Sequence, residues 1–275
     1  MSAVCTLCPH HCALGEGATG LCRARMCEGD RIVSANYGRV TSAALDPIEK
    51  KPLRRFFPGS VILSVGSFGC NLRCPFCQNS DISMRGRSGC ESAYISPAQL
   101  VSRALGLRRE GNIGIAYTYN EPLVGMEYVK DCAALAHENG LKNVLVSNGY
   151  FCGPALKEAL KDIDAANIDL KGFTDAYYRK LGGDLETVKN AVTLACGICH
   201  VEITTLIVPG ENDTVEEMRE LSSWLAGIDS GIPLHVTRFF PRYHMLDRGP
   251  TPVEDILRLA EAAGEKLKYV YTGNI

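Results

Sequence analysis

From residue 61 onward, short apolar runs alternate with stretches whose apolar residues recur at helical spacing. Runs at 61–65, 113–118, 143–147, 165–170, 200–208 and 234–239 predict six strands. Between and after them the pattern predicts helices over 97–110, 123–139, 154–161, 175–196, 214–226 and 253–265. Ser96 before Pro97 is a helix start, and Gly140 a helix stop. Strand–helix alternation of this kind predicts a parallel α/β fold. Six units in about 215 residues are too few for a closed eight-unit barrel, which takes roughly 250. The expected architecture is therefore a partial (β/α)6 barrel of parallel strands. Barrels of this type carry their chemistry at the C-terminal ends of the strands.

Residues 1–50 lack that alternation and are expected to form a small cysteine-rich metal-binding segment and connector. The barrel then occupies 51–275. The first segment runs Cys5-x2-Cys8-x3-Cys12-x9-Cys22, with His10 and His11 inside it. So short a piece has almost no core to bury four thiols, and a bound metal would supply the missing stability. Zinc in a closed tetrahedral site is the simpler reading. A second iron–sulfur cluster is the rival, although the spacing departs from the ferredoxin run. Stretches 31–35 and 38–43 suggest a small hairpin. The basic run Lys50-Lys51-Pro52-Leu53-Arg54-Arg55-Phe56-Phe57 reads as a solvated linker with an aromatic anchor.

Composition narrows the class. With 275 residues, 46% of them hydrophobic, the chain can bury a full core. The formal charge is −2 and no basic block is present, so a general electrostatic grip on nucleic acid is not indicated. No apolar run is long enough to span a bilayer, and the N-terminus has no charged-then-apolar signal pattern. Thirteen cysteines without such a signal point to metal-binding thiols in a reducing compartment, hence a cytoplasmic protein.

The central chemical signal is Gly69-Cys70-Asn71-Leu72-Arg73-Cys74-Pro75-Phe76-Cys77-Gln78-Asn79, just past the first predicted strand. Soft thiolates select zinc, Cu(I) or iron–sulfur clusters. Three of them, where a closed site uses four, leave one position for a substrate or cofactor. A zinc knuckle or packed thiols are the plainer alternatives.

The C-x3-C-x2-C spacing with Phe76 before the last cysteine closely resembles the signature of the radical S-adenosylmethionine (SAM) enzymes. The resemblance implies that Cys70, Cys74 and Cys77 hold a 4Fe–4S cluster whose fourth iron binds SAM, with Phe76 and Gln78 beside it. It also implies cleavage of SAM to a 5′-deoxyadenosyl radical and the same partial barrel. Tyr119-Asn120-Glu121-Pro122 resembles the family's Gly-Gly-Glu-Pro segment, with Tyr119 and Asn120 in place of the glycines. Asn120 and Glu121 are thereby implied to receive the SAM amino group; Glu121-Pro122 could instead simply start the next helix. Ser147-Asn148, Asp169, Lys171 and His235 resemble SAM-contacting positions of the pyruvate formate-lyase activating enzymes. Asn148-Gly149 is also a turn signal, and a lone strand histidine is commonly a core residue.

Cys5-Thr6-Leu7-Cys8-Pro9-His10-His11-Cys12, the cysteine loop, 117–122 and the ending at 268–275 together resemble the AmmeMemoRadiSam system radical SAM enzymes. The glycyl-radical-enzyme activating enzymes share the barrel motifs alone. An electron donor such as flavodoxin or ferredoxin is implied, with an unidentified substrate, either a small molecule or a partner protein. A non-catalytic iron–sulfur or zinc electron-transfer protein is the alternative from another class. Cys196 and Cys199 lie at the opposite end of the barrel and, with Cys132 and Cys152, are expected to be packed thiols.

Overall fold

The computed structural model describes residues 2–275. Strands β1 (Ser2–Val4) and β2 (Ala13–Gly15) pair antiparallel, as do β3 (Arg25–Glu28) and β4 (Arg31–Ser34). The two-residue strand β5 (Arg39–Val40) and β6 (Ser42–Pro47) follow. Then come β7 (Val61–Gly66), α1 (Ser80–Ser83), β8 (Ala93–Tyr94), α2 (Pro97–Gly106) and β9 (Asn112–Tyr117). The chain continues through α3 (Met126–Glu138), β10 (Lys142–Ser147), α4 (Gly153–Ala159) and β11 (Ala165–Asp169). It ends with α5 (Asp175–Leu181), α6 (Leu185–Cys196), β12 (His200–Ile207), α7 (Val215–Asp229), β13 (Leu234–Arg238), α8 (Val253–Gly264) and β14 (Val270–Gly273).

One sheet has the order β14-β13-β12-β11-β10-β9-β7-β6. All neighbours from β7 to β14 are parallel, and β6 closes the edge antiparallel to β7. The expected partial barrel is present, with six β/α units. It gains β14, a seventh parallel strand too short and too isolated in sequence to register as a unit. It also gains β6, whose ladder from Ser42 opposite Gly66 to Pro47 opposite Val61 starts the large sheet at Ser42 rather than near residue 50. Pro47 is tolerated because it ends an edge strand, where a missing N–H leaves no ladder bond open.

Local chemistry corrects other boundaries. The helix expected over 175–196 is two helices, because Gly182 takes a left-handed φ of 81° after α5. Asp184 then caps α6 by accepting from Thr187 N at 2.7 Å. The hairpin expected from 31–35 and 38–43 does not form. Arg31 pairs back on Glu28 across Gly29-Asp30, with Gly29 at φ 67°, while β5 pairs with β8. At α2 the Ser96–Gln99 capping box is complete, with Pro97 opening the helix.

Alternation along the strands creates two apolar layers. Outward residues such as Leu63, Ile115, Leu145, Ile168, Ile203 and Val236 pack beneath the helices. Inward residues Ile62, Ala116, Val144 and Ala165 form a separate cluster with Ile48 and Leu53. The segment read as a solvated linker is therefore a plug in the barrel. Leu53 is fully buried, Asn167 donates to Pro52 O at 2.9 Å, and the N–H groups of Arg54 and Arg55 donate to Glu202 at 2.9 and 2.7 Å. No helix among the described residues is long and apolar enough to cross a membrane.

Candidate active site

The plug fills one end of the barrel, and the other end opens into a cavity of about 880 Å³. Cys70, Cys74 and Cys77 line it, together with Phe76, Gln78, Asn120, Glu121, Ser147, Asn148, Asp169, Lys171 and His235. Gln78 is at the exposed rim, whereas Phe76 is buried near Tyr177.

The cysteine loop is held from several directions. Gly69 sits at φ 91°, and a β-carbon there would meet Cys22 O at 2.5 Å. Cys70 N donates to Cys22 O at 3.1 Å, and Arg73 N to Leu181 O at 2.8 Å. Asn120 accepts from Ser67 N at 2.9 Å and donates to Phe68 O and Gly69 O at 3.2 and 3.0 Å. Asn120 therefore braces the loop. Burial pushes all three thiols up, Cys74 to about 11. A metal bound here must displace a proton from each.

Glu121 is 2% exposed and its carboxylate is enclosed by protein donors. Oε1 accepts from Leu123 N at 3.1 Å and Ser147 Oγ at 2.9 Å, and Oε2 from Asn148 N at 2.7 Å. Burial raises its pKa to about 7 against these hydrogen bonds. It caps the turn after β9 and ties that turn to the end of β10. Asn148 donates to Asn71 Oδ1 at 2.8 Å and reaches Cys70 Sγ at 3.6 Å.

Lys171 pairs with Asp169 at 2.8 Å. Burial opposes its charge, but Asp169 and the Cys74 thiol raise its pKa above the ordinary lysine value. It is a fixed cation beside the cysteine loop. His235 bonds through Nε2 to Glu202 Oε2 at 2.7 Å and stacks on Tyr271. Glu202 also holds His200 and the plug, and although burial opposes ionisation these partners bring it down to about 2.

Three cavity residues had no sequence signal of a site. Asp46 on β6 pairs with Lys51 of the plug at 2.9 Å and accepts from Tyr119 Oη at 2.7 Å; Arg54 also lines the cavity. Tyr119 holds φ 71°. A bulky residue rarely adopts that conformation, which costs roughly 1–2 kcal/mol. The resemblance supplied a hint here, since glycine is the residue that takes such a φ freely.

In the N-terminal segment, Cys5, Cys8, Cys12 and Cys22 line one small cavity with Arg25 and His10. Cys27 lies outside it and points its thiol at Gly29 O. Among the described residues no three Cys, His, Asp or Glu side chains converge tightly enough for a single metal ion. Cys132 lies in the main core, and Cys196 and Cys199 pack against it. Cys152 is half-buried, its N–H donating to Leu7 O at 3.1 Å.

Fold and site define a class: a parallel partial barrel with a three-thiol loop at its strand ends, facing a large polar cavity. A family profile, the Radical SAM superfamily, matches residues 64–225. The chain belongs to the radical SAM superfamily, whose members use a 4Fe–4S cluster and SAM and need a source of electrons. It is 39% identical to the uncharacterized protein MJ0808 of Methanocaldococcus jannaschii over 98% of this chain and 81% of that one. It is 29% identical to the pyruvate formate-lyase-activating enzyme of Clostridium pasteurianum over 58% of this chain and 67% of that one. The fold matches Streptococcus suis SuiB bound to SAM with a TM-score of 0.59 at 14% identity, covering 77% of this chain and 51% of that one.

Proposed function

We propose that Cys70, Cys74 and Cys77 hold the 4Fe–4S cluster and that the chain reductively cleaves SAM to abstract hydrogen from a substrate in the adjoining cavity. The observation that carries this is the set of three thiols on one wall of a cavity large enough for SAM and a further molecule. When bound, the cluster supplies one electron that splits SAM into methionine and a 5′-deoxyadenosyl radical. The residues of the chain then divide the work. Asn120 and Gly69 hold the thiols in place, and Lys171 offsets the negative charge collected there. Ser147, Asn148 and Asp169 at the strand ends present polar groups to SAM, while Phe76 screens the loop from the barrel wall.

The substrate we favour is a small anion. Lys51 and Lys171 line the cavity paired with Asp46 and Asp169, whereas the Arg54 guanidinium there forms no ion pair among the described residues. Arg54 lies over the Tyr271 ring at 5.9 Å, so a carboxylate or phosphate could reach it without breaking a bond. The second reading, activation of a glycyl-radical enzyme, is favoured by the likeness to the Clostridium pasteurianum activating enzyme.

The test is anaerobic reconstitution with iron and sulfide, reduction by dithionite, and assay of SAM for 5′-deoxyadenosine. Formation by the wild-type chain and loss in Cys74→Ala is expected; no deoxyadenosine from a fully loaded chain would sink the proposal. Deuterium transfer from a labelled glycyl-radical enzyme into deoxyadenosine would select the second reading.

A further inference from the structure

The N-terminal cavity is about 10 Å³, room for a single water-sized sphere. Zinc draws its four thiolates to about 2.3 Å around one ion. Cys5, Cys8, Cys12 and Cys22 line this cavity without the convergence that one ion needs. A cubane interposes irons and sulfides, so its four thiolates stand back from the centre in this way.

The surroundings suit an anionic group. Arg25 lines the cavity, its side chain is 9% exposed, and its Nε has no partner in the protein. Its Nη1 is held by Glu127 at 2.8 and 2.5 Å, which fixes the guanidinium at the cavity wall. Gly20 is placed where a β-carbon would stand 3.5 Å from Cys12 Sγ, a close but permitted approach.

This cavity also adjoins the catalytic loop. Cys22 O accepts from Cys70 N at 3.1 Å, and His10 Nε2 meets Asn71 O at 2.7 Å. Asn71 contacts the Cys8 thiol on one side and Asn148 on the other, and Asn148 touches Cys70 Sγ. Hydrogen bonds thus run from one set of thiols to the other. Cys12, half-buried, keeps the outer edge of the segment near solvent.

We propose that Cys5, Cys8, Cys12 and Cys22 hold a second 4Fe–4S cluster, closed to SAM, that passes electrons to the group bound by Cys70, Cys74 and Cys77. Each transfer takes one electron from a low-potential carrier of the flavodoxin or ferredoxin class and delivers one electron inward. No bond is made or broken and no proton is moved.

The test uses the full-length chain, loaded anaerobically with iron and sulfide. The Cys70→Ala/Cys74→Ala/Cys77→Ala variant should retain about four irons and four sulfides per chain and show a reduced-cubane electron paramagnetic resonance signal that SAM does not change. One zinc, two irons or no metal overturns the proposal. If that variant does not fold, the wild-type chain decides: about eight irons supports the second cluster, and about four overturns it. For the relay, Cys12→Ala should lose rapid reduction of the Cys70 group by reduced flavodoxin while dithionite still reduces it. Equal rates in wild type and variant overturn the relay. Iron stoichiometry reads this proposal and deoxyadenosine formation reads the preceding one, so either can fail alone.

Discussion

The phenol of Tyr119 donates to Asp46 at 2.7 Å, joining the turn after β9 to the antiparallel edge strand. Lys51 approaches the same carboxylate at 2.9 Å and lies 4.6 Å from the centre of the Tyr119 ring. Burial and Asp46 push the phenol up to about 12, so it stays a donor at neutral pH. Tyr119→Phe removes that donor and should lower stability by about 1–2 kcal/mol. Urea unfolding of the two chains measures it, and equal midpoints would mean that the bond contributes nothing.

Gly69→Ala should misplace both cysteine segments. The new methyl would meet Cys22 O at 2.5 Å and Ala24 Cβ at 2.9 Å, in a backbone conformation unfavourable to alanine. We expect a loss of about 2–4 kcal/mol and less iron per reconstituted chain. Unchanged iron content would show that the two segments can separate without cost.

Cys70→Ala, Cys74→Ala and Cys77→Ala should each abolish deoxyadenosine formation, since two thiolates hold a cubane poorly. Product from any one of them under reducing conditions contradicts the assignment.

Glu121→Gln places an amide NH2 where one oxygen now accepts from Leu123 and Ser147 or the other from Asn148. At least one buried donor is left unmatched, at about 1–3 kcal/mol. Differential scanning calorimetry should show a lower melting temperature even without SAM. A chain as stable as wild type but weak in SAM binding would return Glu121 to the role of a ligand contact.

Glu202 gives a pH signature. Its pKa falls from 4.5 to about 2 in the folded chain, so it stabilises the fold fully above about pH 4.5. That contribution is lost as pH falls from 4.5 toward 2. The stability gap between wild type and Glu202→Gln, of order 3 kcal/mol at pH 7, should shrink across this window. A gap independent of pH would show that Glu202 acts by packing alone.

The strand–helix rhythm and the C-x3-C-x2-C loop could be read directly, because periodicity reports which face of a segment is buried and spacing reports local ligand geometry. Cys70, Glu121 and Asp169 could be placed at strand ends for the same reason. The plug was not visible: Lys51 and Leu53 look like linker residues until the barrel interior closes around them. The engagement of Asn120 with the loop, and of Glu121 with Ser147 and Asn148, depends on partners 26 to 53 residues away. So does the packing of Cys22 on Gly69. Such pairings are decided by which surfaces meet when the sheet curls, and the chain carries no local period that records them. The four N-terminal cysteines read as a metal site in the sequence. Only the fold gathers all four around one cavity and sets Cys22 against Cys70, because those contacts join segments far apart in the chain.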